Sequence, residues 1–173
     1  MKISSGSYRV WDGFSLSMDK DLDLTRGNSY MLRGENGSGK SSFLKQILIP
    51  ALVLQASSQY LLYFEQQMMR QLYAIRADAA LKNYPKALKT EEDCIHYLLD
   101  DLAKALAKQT RPVYALIDES AHLEYICRKL QGLSSDLILI FADHHHQPST
   151  GVTEHIDFIP QSPYLSSIYE SSV

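Results

Sequence analysis

The stretch Arg33–Phe43, RGENGSGKSSF, places three glycines, a lysine and a pair of serines directly behind an apolar segment. It fits the phosphate-binding pattern GxxxxGK[ST], with Gly34, Gly39, Lys40 and Ser41 at the fixed positions. Glycines allow the backbone to curl so that successive N–H groups point inward at phosphate oxygens, and the following helix adds its positive dipole end. The sequence therefore predicts a phosphate-binding loop between a strand and a helix.

Each position of this loop predicts a contact with Mg-ATP. Lys40 would reach the β- and γ-phosphates, and the Ser41 hydroxyl would coordinate Mg²⁺. The residues expected to contact the nucleotide are Gly34, Glu35, Asn36, Gly37, Ser38, Gly39, Lys40, Ser41 and Ser42. An idle flexible turn is the alternative, but the strand and the helix that the pattern requires are both predicted around it.

A second acidic segment follows another apolar run, in VYALIDES (Val113–Ser120). Asp118 would hold Mg²⁺, directly or through water, and Glu119 would orient or deprotonate the water that attacks the γ-phosphate. Acidic residues are mostly surface groups, so a solvated turn is the alternative. The preceding apolar strand and the phosphate loop in the same chain favour the metal-and-water role.

The hydrophobic pattern predicts an α/β fold in one domain, residues 1–173. Alternation of apolar and polar residues from Tyr8 to Leu24 indicates short antiparallel strands joined by turns. Strands are also predicted at SYMLR (Ser29–Arg33), QYLLYFE (Gln59–Glu65), VYALI (Val113–Ile117) and LILIF (Leu137–Phe141). The near-continuous apolar runs among them are typical of parallel strands covered on both faces by helices.

The remaining segments predict helices and one late strand. A helix from Ser41 should be ended or kinked by Pro50. The pattern from Gln66 to Arg111 is helical with a break at Lys82–Pro85, and Thr90 with Asp93 suggests an N-cap. A last edge strand is expected at Ile156–Ile159, before a Ser/Tyr-rich tail.

Composition limits the function classes. The 173 residues carry a formal net charge of -3, which gives no support to a nucleic-acid-binding face, although a local basic patch could still form. Cys94 and Cys127 have no metal-ligand spacing and are expected to be reduced thiols. The start lacks the apolar core of a signal peptide, and the longest apolar run is too short to cross a bilayer. We expect a cytoplasmic protein, peripheral on a membrane only through a partner.

The segment GENGSGKSS resembles the phosphate loop of ATP-binding-cassette (ABC) ATPases. That resemblance implies further site residues in the family's order. Tyr8 would stack on adenine, Gln66 would sense the metal and the attacking water, and His144 would contact the γ-phosphate as a switch histidine. The segment SAHLE (Ser120–Glu124) is similar to the family's loop that crosses to a partner subunit.

Each of these weaker assignments has an alternative. Tyr8 could pack at a sheet edge, and Gln66 could be an ordinary polar residue at a helix start. His144 belongs to a run of three histidines that, with His155, could hold a metal ion, although at most two of the three could share one ion. Trp11 is expected to be a packing residue.

The chain departs from the family at the signature LSGGQ, which has no counterpart. The matching helix starts near Thr90 and reads KTEEDCIHYLL, so Glu91, Glu92 and Asp93 would repel a bound triphosphate. Three interpretations remain: a different protein supplies the signature, the dimer closes differently, or this helix contacts a partner. The helical subdomain, about 67–111, is also short for the family.

The main hypothesis is an ABC-type ATPase subunit that dimerises with itself or another subunit through its ATP face and moves a further protein partner. That partner could be membrane-embedded, because the family's helical region docks on membrane subunits in transporters. Two alternatives remain open. One is a nucleotide-gated binding module with little hydrolysis. The other is a small-molecule P-loop kinase, for which Arg70, Arg76 and Arg111 would be lid candidates.

Overall fold

The apolar runs of the sequence pair into one large β-sheet in the computed structural model, which describes residues 1–54, 60–107, 112–131, 133, 136–142 and 154–172. The strands are β1 (Lys2–Ile3), β2 (Gly6–Trp11), β3 (Phe14–Met18), β4 (Leu22–Asp23), β5 (Ser29–Arg33), β6 (Tyr60–Phe64), β7 (Val113–Asp118), β8 (Leu137–Ala142), β9 (Glu154–Ser162) and β10 (Leu165–Ser172). All strands predicted from continuous apolar runs are present within a residue or two of their expected bounds.

Eight of these strands form the main sheet, in the order β2-β3-β10-β9-β5-β8-β7-β6. Strands β9, β5, β8, β7 and β6 pair in parallel, whereas β2–β3 and β10–β9 are antiparallel. Strands β7 and β8 are buried along their whole length, as expected for parallel strands covered on both faces. The predicted mixed α/β fold with a mostly parallel sheet is confirmed. The separate β1–β4 sheet is minor, with two residues in each strand.

The carboxyl-terminal strands differ from the prediction. Strand β9 was expected at an edge, but it lies inside the sheet between β5 and β10. The Ser/Tyr-rich tail forms β10, which pairs with β9 on one side and with β3 on the other. Backbone hydrogen bonds to two neighbours stabilise this strand, so it needs only one strongly buried apolar side chain, Ile168. The tail thus joins the N-terminal hairpin to the parallel strands.

Two groups of helices cover the sheet. One continuous helical run comprises α1 (Lys40–Ser42), a π-helical segment (Phe43–Leu48) and α2 (Ile49–Leu54). The others are α3 (Leu72–Leu81), α4 (Glu91–Leu106) and α5 (Leu123–Gln131), preceded by a 3₁₀ turn at Met68–Arg70. The first run packs against one face of the sheet and α3 to α5 pack against the other, which gives two hydrophobic clusters. In the described part of the chain, no helix is long and apolar enough to span a membrane.

Of the two outcomes predicted for Pro50, an end or a kink of the first helix, the end does not occur. The chain stays helical to Leu54, but its winding changes, and the Ile49 N–H donates to the carbonyl of Leu44, five residues back. Pro50 is therefore the second residue of a new α-helical segment, where its missing N–H costs little.

Helix α4 begins as the sequence predicts. The Thr90 side chain accepts a hydrogen bond from the Asp93 N–H, and the Asp93 carboxylate accepts from the Thr90 N–H. This capping box satisfies the first amides of the helix. The two amide donors of Lys89 and Thr90 hold the pKa of Asp93 below its usual range.

Candidate active site at the carboxyl ends of the strands

The loop between β5 and α1 is built around two glycines. Gly39 has φ = 103°, and an added Cβ there would lie 2.7 Å from a methyl carbon of Leu16. At Gly34 (φ = 151°) a Cβ would lie 2.6 Å from Ser38 Oγ and 2.7 Å from the Phe158 carbonyl oxygen. Both positions therefore require glycine, because a side chain would be strained and would meet its neighbours.

Lys40 is buried at the start of α1, and its ammonium lies inside the loop. Lys40 Nζ donates to the carbonyl oxygens of Gly34 at 2.8 Å and Glu35 at 3.0 Å. It also lies 3.6 Å from Glu119 Oε1. A buried cation is stable only when paired or hydrogen-bonded, and these three oxygens supply that stabilisation. The loop is thus wrapped around one positive charge.

The Ser38 hydroxyl lies in the same loop and is buried without a hydrogen-bond partner among the described residues. An unpaired buried hydroxyl costs free energy, so such groups often mark a ligand position. Together with the buried ammonium of Lys40, it makes the loop suited to an anion that accepts hydrogen bonds.

Asp118 is placed by the alternation of β7. Tyr114 and Leu116 point to the face covered by the first helical run, and Asp118, two residues further along, points the same way. Its Oδ1 accepts a 2.7 Å hydrogen bond from Ser41 Oγ. Its carboxylate is fully buried. The predicted metal-binding pair, Ser41 and Asp118, is therefore in direct contact.

The second oxygen of Asp118 has partners that the sequence analysis missed. Tyr63 OH donates to Oδ2 at 3.2 Å, and Lys45 Nζ lies 3.5 Å from the same atom. Burial, with the nearby Asp118 charge, raises the pKa of Tyr63 well above its ordinary value, so its phenol remains a donor. Lys45 could have been found from its spacing, because it lies four residues after Ser41 on the same helical run.

Glu119 adopts φ = 49°, a left-handed conformation that few residues with side chains take. The turn directs its carboxylate back toward the loop. Gln66 Nε2 donates to Glu119 Oε2 at 3.0 Å, while Oε1 faces Lys40. The structure thus brings together three residues predicted from separate parts of the sequence. Unusual backbone conformations of this kind cluster at functional sites.

These groups border a pocket of about 110 Å³. It is lined by Trp11, Gly37, Gly39, Lys40, Ser41, Ser42 and Glu119. The pocket thus combines the loop backbone, one ammonium, two serines, one carboxylate and an indole ring. Among the described residues no group of three His, Cys, Asp or Glu side chains could hold a metal ion, so a metal here would need the hydroxyl of Ser41 as well.

Comparisons with known proteins identify the fold. No protein-family model matches the chain, and no curated protein does. A model of ribosome-bound archaeal Pelota and ABCE1 matches with a TM-score of 0.58 at 12% identity over 99% of this chain and 34% of that one. A crystal structure of archaeal ribosomal stalk protein aP1 with the archaeal ribosome recycling factor aABCE1 matches with a TM-score of 0.60 at 10% identity, over 100% of this chain and 40% of that one. The chain is therefore similar in fold to these two structures.

This likeness concerns the fold alone, because identity is low. The chain spans between about a third and two-fifths of the length of those two matched chains. The functional roles of its residues therefore depend on the geometry of this site.

The aromatic residue at the pocket differs from the expected one. Tyr8 packs against the hydrophobic cluster beneath β2, and its hydroxyl donates to the carbonyl of Ser4. Of the described aromatic residues, Trp11 lines the pocket instead. Trp11 stacks on Phe14 with ring centroids 4.7 Å apart, and 49% of its surface is exposed. The sequence could have indicated Trp11 by its position, because it is the last residue of β2 and directly precedes the Asp12-Gly13 turn. A ring at such a strand end remains partly exposed.

The remaining residues considered in the sequence analysis fall into two groups. His144, His145, His146 and Arg111 fall outside the described residues. Arg76, a lid candidate in the kinase alternative, donates to the carbonyl oxygens of Leu88 and Lys89 and thereby fixes the segment between α3 and α4. The Thr90 hydroxyl is engaged in the capping box of α4.

Proposed function

We propose that this chain is an ABC-type ATPase subunit that binds Mg-ATP in the loop 34–42 and hydrolyses it. The observation that carries the proposal is that the buried Lys40 and Ser41 line one pocket while Ser41 donates a hydrogen bond to the buried Asp118. These groups come from two segments that lie far apart in the sequence, the loop 34–42 and the end of β7.

The loop supplies the phosphate contacts. Lys40 donates to the terminal phosphates, replacing its bonds to the Gly34 and Glu35 carbonyls with charge-assisted ones. The Ser38 hydroxyl donates one more hydrogen bond, which removes its unsatisfied state. Backbone N–H groups of Gly37, Gly39 and Lys40 line the same concavity.

Ser41 and Asp118 would hold Mg²⁺, with Gln66 as a further oxygen ligand at the edge of the site. Hydroxyl and carboxylate oxygens are the ligands this hard cation prefers, so the donor set fits. When bound, the ion neutralises charge on the β- and γ-phosphates. The indole of Trp11 offers an exposed aromatic face on which the adenine base stacks.

Glu119 is the proposed general base. Gln66 donates to one carboxylate oxygen, and the other would accept a proton from the attacking water once Lys40 turns to phosphate. His144 is proposed to contact the γ-phosphate. The present contact between Glu119 and Lys40 favours the second candidate, a nucleotide-gated module with slow turnover, since it engages the base with the phosphate-binding cation.

The acidic start of α4 bears on how the chain would pair with another subunit. The Thr90 hydroxyl and the Asp93 carboxylate already bond to the helix's own amides, so they are poor γ-phosphate ligands for a second copy. We propose that the ATP face pairs with another subunit, identical or different, and that a further protein, which a membrane could hold, receives the motion.

The test of nucleotide binding is calorimetry with Mg-ATP on wild type and Lys40→Ala, with Lys104→Ala on α4 as a matched control. Wild type and the control should bind, and Lys40→Ala should lose roughly a hundredfold in affinity, the order expected for a lost charge-assisted contact. Equal affinity for wild type and Lys40→Ala would refute the proposed site.

The test of hydrolysis compares phosphate release by wild type and Glu119→Gln, with and without candidate partners. Loss of a general base should lower turnover by roughly 10²- to 10⁴-fold while leaving ATP binding intact. Tight binding with negligible turnover in every wild-type sample would favour the gated module. Transfer of phosphate to a metabolite instead of water would favour the kinase.

A further inference from the structure

Asp118 has the most buried charged side chain of the described site. Its carboxylate has an unusual set of partners. The carboxylate is fully buried, yet neither of its hydrogen-bond donors, Ser41 and Tyr63, carries a charge. Burying a carboxylate costs free energy unless it is both hydrogen-bonded and paired with an opposite charge. In the described part of the chain, the cation within 4 Å of Asp118 is Lys45, whose Nζ lies 3.5 Å from Oδ2.

Lys45 also faces a second carboxylate at a nearly equal distance. Its ammonium lies 3.7 Å from Glu65 Oε1 and 3.5 Å from Asp118 Oδ2. The Lys45 side chain is 37% exposed, whereas that of Asp118 is 1% exposed. The Lys45 ammonium therefore lies between the buried Asp118 carboxylate and solvent. A small rotation of the Lys45 side chain would bring it closer to Glu65 and further from Asp118.

The end of β6 is fixed so that Glu65 can receive this charge. Gln71 Oε1 accepts from the Glu65 N–H at 3.1 Å, and Gln71 Nε2 donates to the Tyr63 carbonyl oxygen at 3.1 Å. One amide side chain therefore clamps the backbone that carries both Tyr63 and Glu65.

The charges around Asp118 indicate which ligand would displace the Lys45 ammonium from it. Among the described residues, the ion pairs of the site join two ammonium groups, Lys40 and Lys45, to three carboxylates, Glu65, Asp118 and Glu119. Lys40 contacts the loop carbonyls and Glu119, and in this described part of the chain no ion pair joins it to Asp118. A divalent cation at Ser41 and Asp118 would take over the charge of Asp118 and repel the nearby ammonium.

We propose that Lys45 is a resident counter-ion that holds Asp118 in place in the metal-free protein and yields it to Mg²⁺ by moving to Glu65. Lys45 is then a positioning residue and a competitor of the metal, and it sets the Mg²⁺ concentration at which the site loads. The inference rests on the proposed function, because it takes Ser41 and Asp118 as the metal ligands.

The experiment titrates MgCl₂ at a fixed ADP concentration and measures ADP binding by calorimetry, so that hydrolysis does not intervene. The variants are Lys45→Met, which removes the charge, and Lys45→Arg, which keeps it, with Lys104→Met on α4 as the matched control. Lys45→Met should lower the half-saturating Mg²⁺ concentration by roughly five- to tenfold, as expected for a partly exposed ion pair that no longer competes. Lys45→Arg and the control should stay near wild type.

Thermal unfolding in EDTA supplies a readout that needs no nucleotide. Lys45→Met leaves the Asp118 charge uncompensated, so its melting temperature should fall below that of Lys45→Arg, and added Mg²⁺ should raise it more than it raises wild type. A merely structural lysine would lower the melting temperature without changing this response to Mg²⁺.

Three outcomes overturn the inference in different ways. Coincident Mg²⁺ midpoints for wild type and Lys45→Met show that the lysine does not compete with the metal. Weaker ADP binding by Lys45→Met to the same extent at every Mg²⁺ concentration makes Lys45 a phosphate ligand instead. If wild type binds no ADP at any Mg²⁺ concentration, the proposed function fails as well. In the first two outcomes wild type still binds ADP, so only the inference about Lys45 fails.

Discussion

The Ser41 hydroxyl donates a 2.7 Å hydrogen bond to Asp118 Oδ1 across 77 residues of sequence. The bond joins the start of the first helical run to the end of β7. It exists because the period of two along β7 turns Asp118 toward the face that this helical run covers. A buried carboxylate at a strand end and a helix-start hydroxyl thus become one unit, positioned by the packing of the sheet.

Removing the Ser41 hydroxyl should weaken the use of metal, in addition to the stability lost with its hydrogen bond to the buried Asp118 carboxylate. We expect Ser41→Ala to raise the Mg²⁺ concentration needed for ADP binding by roughly tenfold, because one of the proposed oxygen ligands is lost. ADP binding in EDTA should change little. Ser17→Ala on β3 is the matched control. If Ser41→Ala needs no more Mg²⁺ than the control, the hydroxyl is a packing group only.

Gly37 and Gly39 of the phosphate loop should differ in how well they tolerate replacement by alanine. Both have positive φ, but a Cβ at Gly37 meets nothing within 4 Å, whereas one at Gly39 meets Leu16 at 2.7 Å and Phe14 at 3.1 Å. Gly37→Ala should lower the free energy of unfolding by about 1 kcal/mol, and Gly39→Ala by about 2–3 kcal/mol. Urea unfolding measures both. Equal losses would show that the loop opens to make room for the side chain.

Much of the fold was predictable because the parallel strands are apolar on both faces. The runs SYMLR, VYALI and LILIF have few alternatives to a buried strand, and they appear close to their expected bounds. Strand β10 was missed because its stability comes from backbone pairing to β3 and β9, which leaves little trace in a Ser-rich side-chain pattern. The π-helical segment before Pro50 likewise depends on backbone winding.

The candidate site was predictable where a motif fixes the spacing. Lys40, Ser41 and the Asp118-Glu119 pair come together as the sequence analysis expected. Tyr63 and Lys45 were not foreseen, since their contacts with Asp118 depend on the register of β6 against β7 and on side-chain direction. The spacing of Lys45, four residues after Ser41, marks it as a candidate, but the sequence does not give the strand register that brings Tyr63 to Asp118.

The exposed ring at the pocket gives a direct test of base stacking. Trp11 is the sole tryptophan of the sequence, so intrinsic fluorescence reports on this position alone. ATP binding should change the Trp11 emission, and Trp11→Ala should weaken ATP binding by roughly five- to a hundredfold, the range for loss of one base–aromatic stack. Inorganic triphosphate, which has no base, should bind both proteins alike.

Tyr8→Phe is the control for this prediction, because the Tyr8 ring packs against the core and its hydroxyl bonds to Ser4. It should leave ATP affinity unchanged. An unchanged ATP affinity with Trp11→Ala would contradict the proposed base stack on Trp11.

The strand that leads into the phosphate loop should lose stability in acid. Arg33 donates to both carboxylate oxygens of Asp157 at 2.7 and 2.8 Å, and Ser171 donates to one of them at 2.8 Å. Burial opposes ionisation of Asp157, but these hydrogen bonds outweigh it and keep the pKa of Asp157 below its ordinary value. The pair therefore ties β5 to β9 and β10 only while Asp157 is charged.

A carboxyl group whose pKa is lower in the folded state stabilises the fold above its unfolded value of about 4, and this contribution disappears as the pH falls through the folded pKa. Asp157→Asn should lower the free energy of unfolding by about 1 kcal/mol at pH 7, a value limited by the partial exposure of both side chains, and by much less at pH 3. Asp12→Asn breaks the surface Arg9–Asp12 pair, in which the Asp12 side chain is 98% exposed, and is the control expected to change little. Urea unfolding between pH 3 and pH 7 measures the difference. A loss for Asp157→Asn that is the same at both ends of this range would mean that the side chain acts through packing rather than charge.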